Sequence, residues 1–281
     1  MTLPQARNRR QDRPGTAPTT LALRFAARSD IGLVRKGNED SGYAGPHLLA
    51  VADGVGGNVA GEVASAAAIT AIAALDAQDP GPDLASVLAD AVTAASRRLQ
   101  ELISSDPSVE GMGTTLTALL WRAGDAALCH IGDSRAYLLR DGQFIQVTRD
   151  HTLVQSLIDE GRITAADAAR HPYRSLLLRA LDGRTAAEAD LTPFETCAGD
   201  RYLLCSDGLS GVVNGQTLHQ MLASVRDLHE VTSRLIELAV EGGGPDNITC
   251  IVADVIDAGS SPLPPTRQPV FVGAAADGGP G

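Results

Sequence analysis

Four times in this 281-residue chain a short apolar run meets an aspartate, and that recurrence limits the possible folds more than any other feature. In HLLAVADGVGGNVAGE, residues 47–62, the run from Leu48 to Ala52 stops on Asp53 and breaks into Gly54, Gly56 and Gly57. CHIGDS ends a run on Asp133, YLLCSDG ends another on Asp207, and GGGPDN puts Asp246 and Asn247 directly before the run Ile248 to Val252. Apolar runs bounded by turn residues read as buried strands. A single Asp-Gly is an ordinary turn signal. The set is better explained by strands that deliver acids to one place, and Glu39 and Asp40 in NED add two more.

The elements come in blocks. A strand is expected over 22–28, then a loop through Arg35 and Asp40 into the strand that ends at Asp53. Helical patterns follow over 60–76 and 83–104, the second with Leu84, Leu88, Val92, Ala95 and Leu99 at helical spacing. Strands are expected at 114–122, 126–131, 135–140 and 143–147, with Asp141-Gly142 as a hairpin turn. The segment 151–184 reads as short helices (HTLVQSLIDEGR, TAADAARH, SLLLRAL) inserted before strands at 187–195 and 201–206. Helices at 216–224 and 228–241 and a strand at 247–255 complete the pattern. Blocks of strands and helices, without strict alternation, predict an α+β fold of antiparallel sheets with helices outside. Residues 1–21 and 257–281 read as disordered tails around one domain at 22–256.

A net charge of -11 and an aromatic content of 3% argue against nucleic acid, which needs clustered cations and stacking platforms. Cys129, Cys197, Cys205 and Cys250 show no zinc spacing and read as reduced, mostly buried thiols. No stretch reaches the roughly 20 apolar residues of a membrane span. Residues 1–20 lack the apolar core of a signal peptide, so a cytoplasmic location is expected, and nothing in the chain asks for an oligomer, so a monomer is expected.

Gathered carboxylates repel, by about 4 kcal/mol for two charges 4 Å apart at an effective dielectric near 20, so a cation belongs among them. Oxygen donors on glycine-flanked loops suit Mg²⁺ or Mn²⁺. Two such ions about 3.5 to 4 Å apart activate water and stabilise in-line displacement at phosphorus, which points to phosphoester hydrolysis. Arg35, four residues before Glu39, could grip phosphate oxygens with its guanidinium fork. GVGGNV fits neither GxGxxG nor a P-loop, and no cysteine opens a CxxxxxR nucleophile loop.

The order SDIGLVRKGNED, LLAVADGVGG, AGEVAS, GMGTTLTALL, HIGDSRAYLLR, TRDHT, RSLLLRALDG, LLCSDGLSG and GGPDNIT resembles the metal-dependent protein phosphatases of the type 2C class, especially bacterial members. The resemblance implies a four-layer sandwich, two antiparallel sheets flanked by helix pairs, with 151–184 as a small helical flap. It implies a serine/threonine phosphatase using a hydroxide that bridges two ions, Mn²⁺ or Mg²⁺, with a bacterial kinase as the opposing partner. By the same resemblance Asp53 bridges the ions, the Gly54 carbonyl joins one, and Asp207 and Asp246 hold the other. Glu39 and Asp40 act through water, Arg35 holds the substrate phosphate, Asp133 holds a third ion, and Ser175 is a further flap candidate for it. Several eukaryotic members carry a histidine where this chain has Val55, which leaves the general acid open. The alternative is a catalytically silent relative that only binds phosphoproteins.

Overall fold

A computed structural model describes residues 20–56, 60–77, 79–184 and 187–277. Its strands and helices, in chain order, are β1 (Leu21–Asp30), β2 (Asp40–Ala44), β3 (Leu48–Val55), α1 (Gly61–Ala73), α2 (Leu84–Ser105), β4 (Gly113–Thr114), β5 (Leu116–Arg122), β6 (Asp125–Ile131), β7 (Arg135–Arg140), β8 (Gln143–Gln146), α3 (Leu153–Asp159), α4 (Ala165–Ala168), β9 (Asp190–Glu195), β10 (Arg201–Cys205), α5 (Asp207–Ser210), α6 (Gly215–Ser224), α7 (Leu228–Glu241), β11 (Ile248–Asp257), β12 (Val270–Gly273) and α8 (Ala274–Asp277). The N-terminal tail at 1–21 falls almost wholly outside the described residues, as do Gly57 and the last four residues.

Two antiparallel sheets lie face to face. One runs β1-β11-β10-β7-β8 and the other β12-β2-β3-β5-β6-β9, with β4 paired to β3. Alternation along single strands sorts the side chains into layers. In β3, Leu49 and Val51 point between the sheets while Leu48, Ala50 and Ala52 pack under α1 and α2. In β11, Ile251, Ala253 and Val255 fill the same middle layer, whereas Ile248, Cys250 and Val252 pack under α6 and α7. The result is the expected four-layer α/β/β/α sandwich. In α2 the buried Leu84, Leu88, Ala91, Val92, Ala95 and Leu99 form one stripe, and Asp83 caps the first turn by accepting from Ser86 N–H. Burying a leucine of this kind contributes about 1.5–3 kcal/mol.

The hairpin turns match their sequence signals. Asp141 and Gly142 take φ of 50° and 77°, both left-handed, as a two-residue primed turn requires. Three expectations need correction. The loop assigned through Asp40 is a strand from Asp40 onward, because β2 pairs along β3 from Asp40 opposite Asp53 to Ala44 opposite Leu49. SLLLRAL is not a helix. Leu181 exchanges two backbone bonds with Thr114 (2.9 and 2.8 Å), and Leu178 N–H donates to the His151 carbonyl (2.8 Å), so this stretch is drawn out along the body of the fold. The segment 257–281 is not simply a tail, because Val270–Gly273 joins the β2 edge as a strand and α8 follows. Composition missed it because four residues of edge strand carry little periodicity. Among the described residues no helix is long and apolar enough to cross a membrane.

Candidate metal and phosphate site

Antiparallel pairing explains why distant acids meet. The start of β2 lies beside the end of β3, which sets Asp40 opposite Asp53. The end of β10 lies beside the start of β11, which brings Asp207 toward Asp246. The turn from β6 to β7 crosses from one sheet to the other at the same edge and carries Asp133. Like charges opposed across a ladder are destabilising, so this placement works against the fold and calls for a chemical reason.

The electrostatics show the strain. Burial, together with the charges of Asp207 and Asp246, pushes the Asp40 carboxyl up to about 7 even though Ser206 Oγ donates to it at 2.7 Å. Burial and then Asp40, Asp207, Asp133 and Asp246 hold Asp53 well above the usual carboxylate range. Asp133 is pushed up to about 8, by burial first and by Asp207 and Asp150 next. Asp207 is raised by burial and by Asp246, and Glu39 by burial and by Glu62 and Asp246. Asp246 has its own countercharge, since Arg35 Nη2 lies 2.7 Å from its Oδ2. That hydrogen bond raises the Arg35 guanidinium in turn.

The acids, Arg35 and Gly54 thus sit on one edge. Gly54 N–H donates to the Glu39 carbonyl at 3.1 Å, and Asp53 is fixed by backbone and side-chain bonds to Thr114 and Thr115. A cleft of about 570 Å³ opens beside them, lined by Asp133, Asp207 and Asp246 on the body and by Val154, Ala168 and Ser175 on the 151–184 segment. Ser175 therefore lines the same cavity as three of the acids and is exposed. Among the described residues no three His, Cys, Asp or Glu side chains close around a single point at ligand distance. The donor set still fits a hard divalent cation. It is all oxygen, and Asp40 Oδ1 is buried with no hydrogen-bond partner among the described residues.

Several residues that build the site carried no assigned role in the sequence. Asn247, 4% exposed, accepts from Glu39 N–H (2.8 Å) and donates from Nδ2 to the carbonyls of Ile31 and Gly37 (2.9 Å each). It ties the Arg35 loop to the acids, and its position beside Asp246 was the only hint. Ser206 links Asp40 to Thr249 N–H, and Arg135 grips Asp150 through Nε and Nη2 next to Asp133. Two of the histidines are tied into the fold. His130 is buried between the Thr117 hydroxyl and the Arg149 carbonyl and is pushed down to about 4 by burial, and His151 is held by Gly132 N–H and Asp190.

Known proteins share this sequence pattern and this fold. The protein phosphatase 2C family pattern matches residues 38–242. The serine/threonine protein phosphatase PstP of Mycobacterium tuberculosis is 53% identical over 260 residues, which are 92% of this chain and 49% of PstP. The chain thus spans about half the length of that relative. The serine/threonine phosphatase stp of Listeria monocytogenes is 34% identical over 238 residues, 81% of this chain and 94% of that protein. The crystal structure of the PstP catalytic domain in complex with two manganese ions superposes with a TM-score of 0.80 at 54% identity, covering 85% of this chain and all of that one. With the sandwich, the acidic edge and these likenesses in agreement, the chain belongs to the protein phosphatase 2C family.

Proposed function

We propose that this chain is a metal-dependent phosphatase of phosphoserine and phosphothreonine in proteins, opposing a serine/threonine kinase. The observation that carries the proposal is the convergence of Asp40, Asp53, Asp133, Asp207 and Asp246, with Arg35, on one edge of the sandwich. Asp53, Asp207, Asp246 and the Gly54 carbonyl would hold two ions, Mn²⁺ or Mg²⁺, with Glu39 and Asp40 acting through water. Asp133, with Ser175 across the cleft, would hold a third. Such ions, when bound, neutralise phosphate charge and lower the pKa of water.

The chain's own residues do the rest. Arg35 exchanges one anionic partner, Asp246, for another, the substrate phosphate, which its fork can grip in two places. Asn247 keeps the Arg35 loop in reach. The cleft beside Asp133, Asp207 and Asp246 leaves room for the phosphorylated side chain to approach them. The role of 151–184 as a flap, a cytoplasmic location and a monomeric state belong to the same proposal, with β12 and α8 counted as part of the domain.

Hydrolysis of a phosphothreonine peptide, with EDTA, Mg²⁺ or Mn²⁺ present, tests it alongside Asp53→Ala. Activity that requires metal and disappears in Asp53→Ala is the expected result. Inactivity of the native chain with every metal would overturn it in favour of a phosphoprotein-binding relative.

A further inference from the structure

The segment that composition marks as a tail reaches the acidic site. Thr266 N–H donates to the Leu23 carbonyl (3.0 Å), and Phe25 N–H donates to Thr266 Oγ1 (3.3 Å). The chain then crosses to the other sheet, where β12 pairs along β2 from Val270 opposite Ala44 to Gly273 opposite Ser41. Phe271 meets Tyr43 edge to face, with centroids 4.8 Å apart. Gly273 has φ of 69°, and a Cβ there would overlap the Asp40 carbonyl oxygen, so only glycine lets the chain pass this close. Ala275 follows, 1% exposed within the core under α1, and its N–H donates to Ser41 Oγ at 3.1 Å.

Counting protons gives this contact a direction. Ser41 Oγ and Ser65 Oγ are 2.9 Å apart, and both residues are fully buried. Ser65 donates to the Glu39 carbonyl at 2.6 Å, a shorter contact than its alternative to the Glu62 carbonyl at 3.3 Å. The Ala275 N–H can only donate. Ser41 therefore accepts from Ala275 and donates to Ser65, and the chain runs from Ala275 through Ser41 and Ser65 to the Glu39 carbonyl. That same carbonyl accepts from Gly54 N–H. A fully satisfied buried chain of this kind rigidifies what it ends on. What it ends on is the Glu39–Asp40 and Gly54 junction.

We propose that Gly273 and Ala275 are positioning residues for the acidic site, acting through Ser41 and Ser65 on Glu39, Asp40 and Gly54. The proposal rests on the metal-site reading given above. β12 and α8 then form a built-in strap, and releasing it loosens the backbone that carries one side of the site. The tail tunes metal uptake without touching substrate.

The test compares the full native chain with Gly273→Val, Phe271→Asp/Gly273→Val, Ser41→Ala and the control Val270→Ser. Hydrogen exchange follows the amides of 270–275, calorimetry measures Mn²⁺ binding, and turnover of a small aryl phosphate is read at saturating Mn²⁺. The glycine variants are expected to expose the β12 amides and raise the Mn²⁺ dissociation constant about two- to tenfold, the worth of one hydrogen bond. Ser41→Ala should weaken Mn²⁺ similarly with β12 still protected, and turnover at saturating metal should stay within about twofold of native, since the strap touches no substrate. Native Mn²⁺ affinity in Ser41→Ala, or with β12 released, overturns the positioning role. A β12 that stays protected in both glycine variants overturns it as well, because the close approach to Asp40 would then be wrong. Failure of the native chain to bind Mn²⁺ at all overturns the metal reading itself, a result distinct from the others.

Discussion

Replacing Asn247 with alanine removes the side chain that holds the Arg35 loop against the acids. Three hydrogen bonds go with it, one accepted from Glu39 N–H and two donated to Ile31 and Gly37. At about 0.5–1.5 kcal/mol each, their loss amounts to about 1.5–4.5 kcal/mol. The two carbonyls lie on an exposed turn and can find water, whereas the Glu39 N–H is half-buried, which favours a cost of about 2–4 kcal/mol. Urea unfolding of Asn247→Ala measures this directly. The proper comparison is Asn214→Ala, which removes the exposed N-cap of α6 and its acceptance from Thr217 N–H. That change should cost about 1 kcal/mol. Because Arg35 loses its anchor, kcat/KM for a phosphopeptide should also fall by about tenfold or more, equivalent to about 1.4 kcal/mol. If Asn247→Ala is no more costly than Asn214→Ala, the assignment of Asn247 as the tie between loop and acids is refuted.

Two further predictions follow from the crowding of charge and from close backbone contact. In EDTA, thermal stability should fall as pH rises from about 4 to about 8. Asp40 and Asp133 titrate near 3.8 when unfolded but are pushed up to about 7 and about 8 in the fold, so the folded state holds the extra protons and loses its advantage as they leave. Asp53 and Asp207 shift the same way and outweigh His130, whose lowered value acts in the opposite sense. Saturating Mn²⁺ should flatten or invert the trend, and a melting temperature that climbs from pH 5 to pH 8 in EDTA would refute the coupling. In Gly208→Ala the added Cβ would overlap the Asn247 carbonyl oxygen, so the backbone next to Asp207 must shift, at about 1–3 kcal/mol and with weaker Mn²⁺ binding by calorimetry. Gly215→Ala, with nothing among the described residues within 4 Å, should be neutral or slightly stabilising, and equal effects in the two variants would count against the contact.

What the sequence determined by itself was the set of strands and the acids at their ends. A run such as Leu48 to Ala52 is buried on both faces, and an aspartate followed by glycine stops it, so the strand and the acid at its end both follow from local composition. The helices of α2 and α7 were equally plain, because their apolar stripes repeat over three or more turns. Tertiary structure decided everything that depends on which strand neighbours which. Only the β2–β3 register puts Asp40 against Asp53, and only the β10–β11 pairing brings Asp207 to Asp246. SLLLRAL has helix-forming residues, yet its backbone bonds go to Thr114 and His151, partners 67 and 27 residues earlier at Leu181 and Leu178. The strap at 270–277 was invisible for the same reason. Four residues of edge strand and an alanine amide acquire meaning only when Ser41, Ser65 and the Asp40 carbonyl are already in place to receive them.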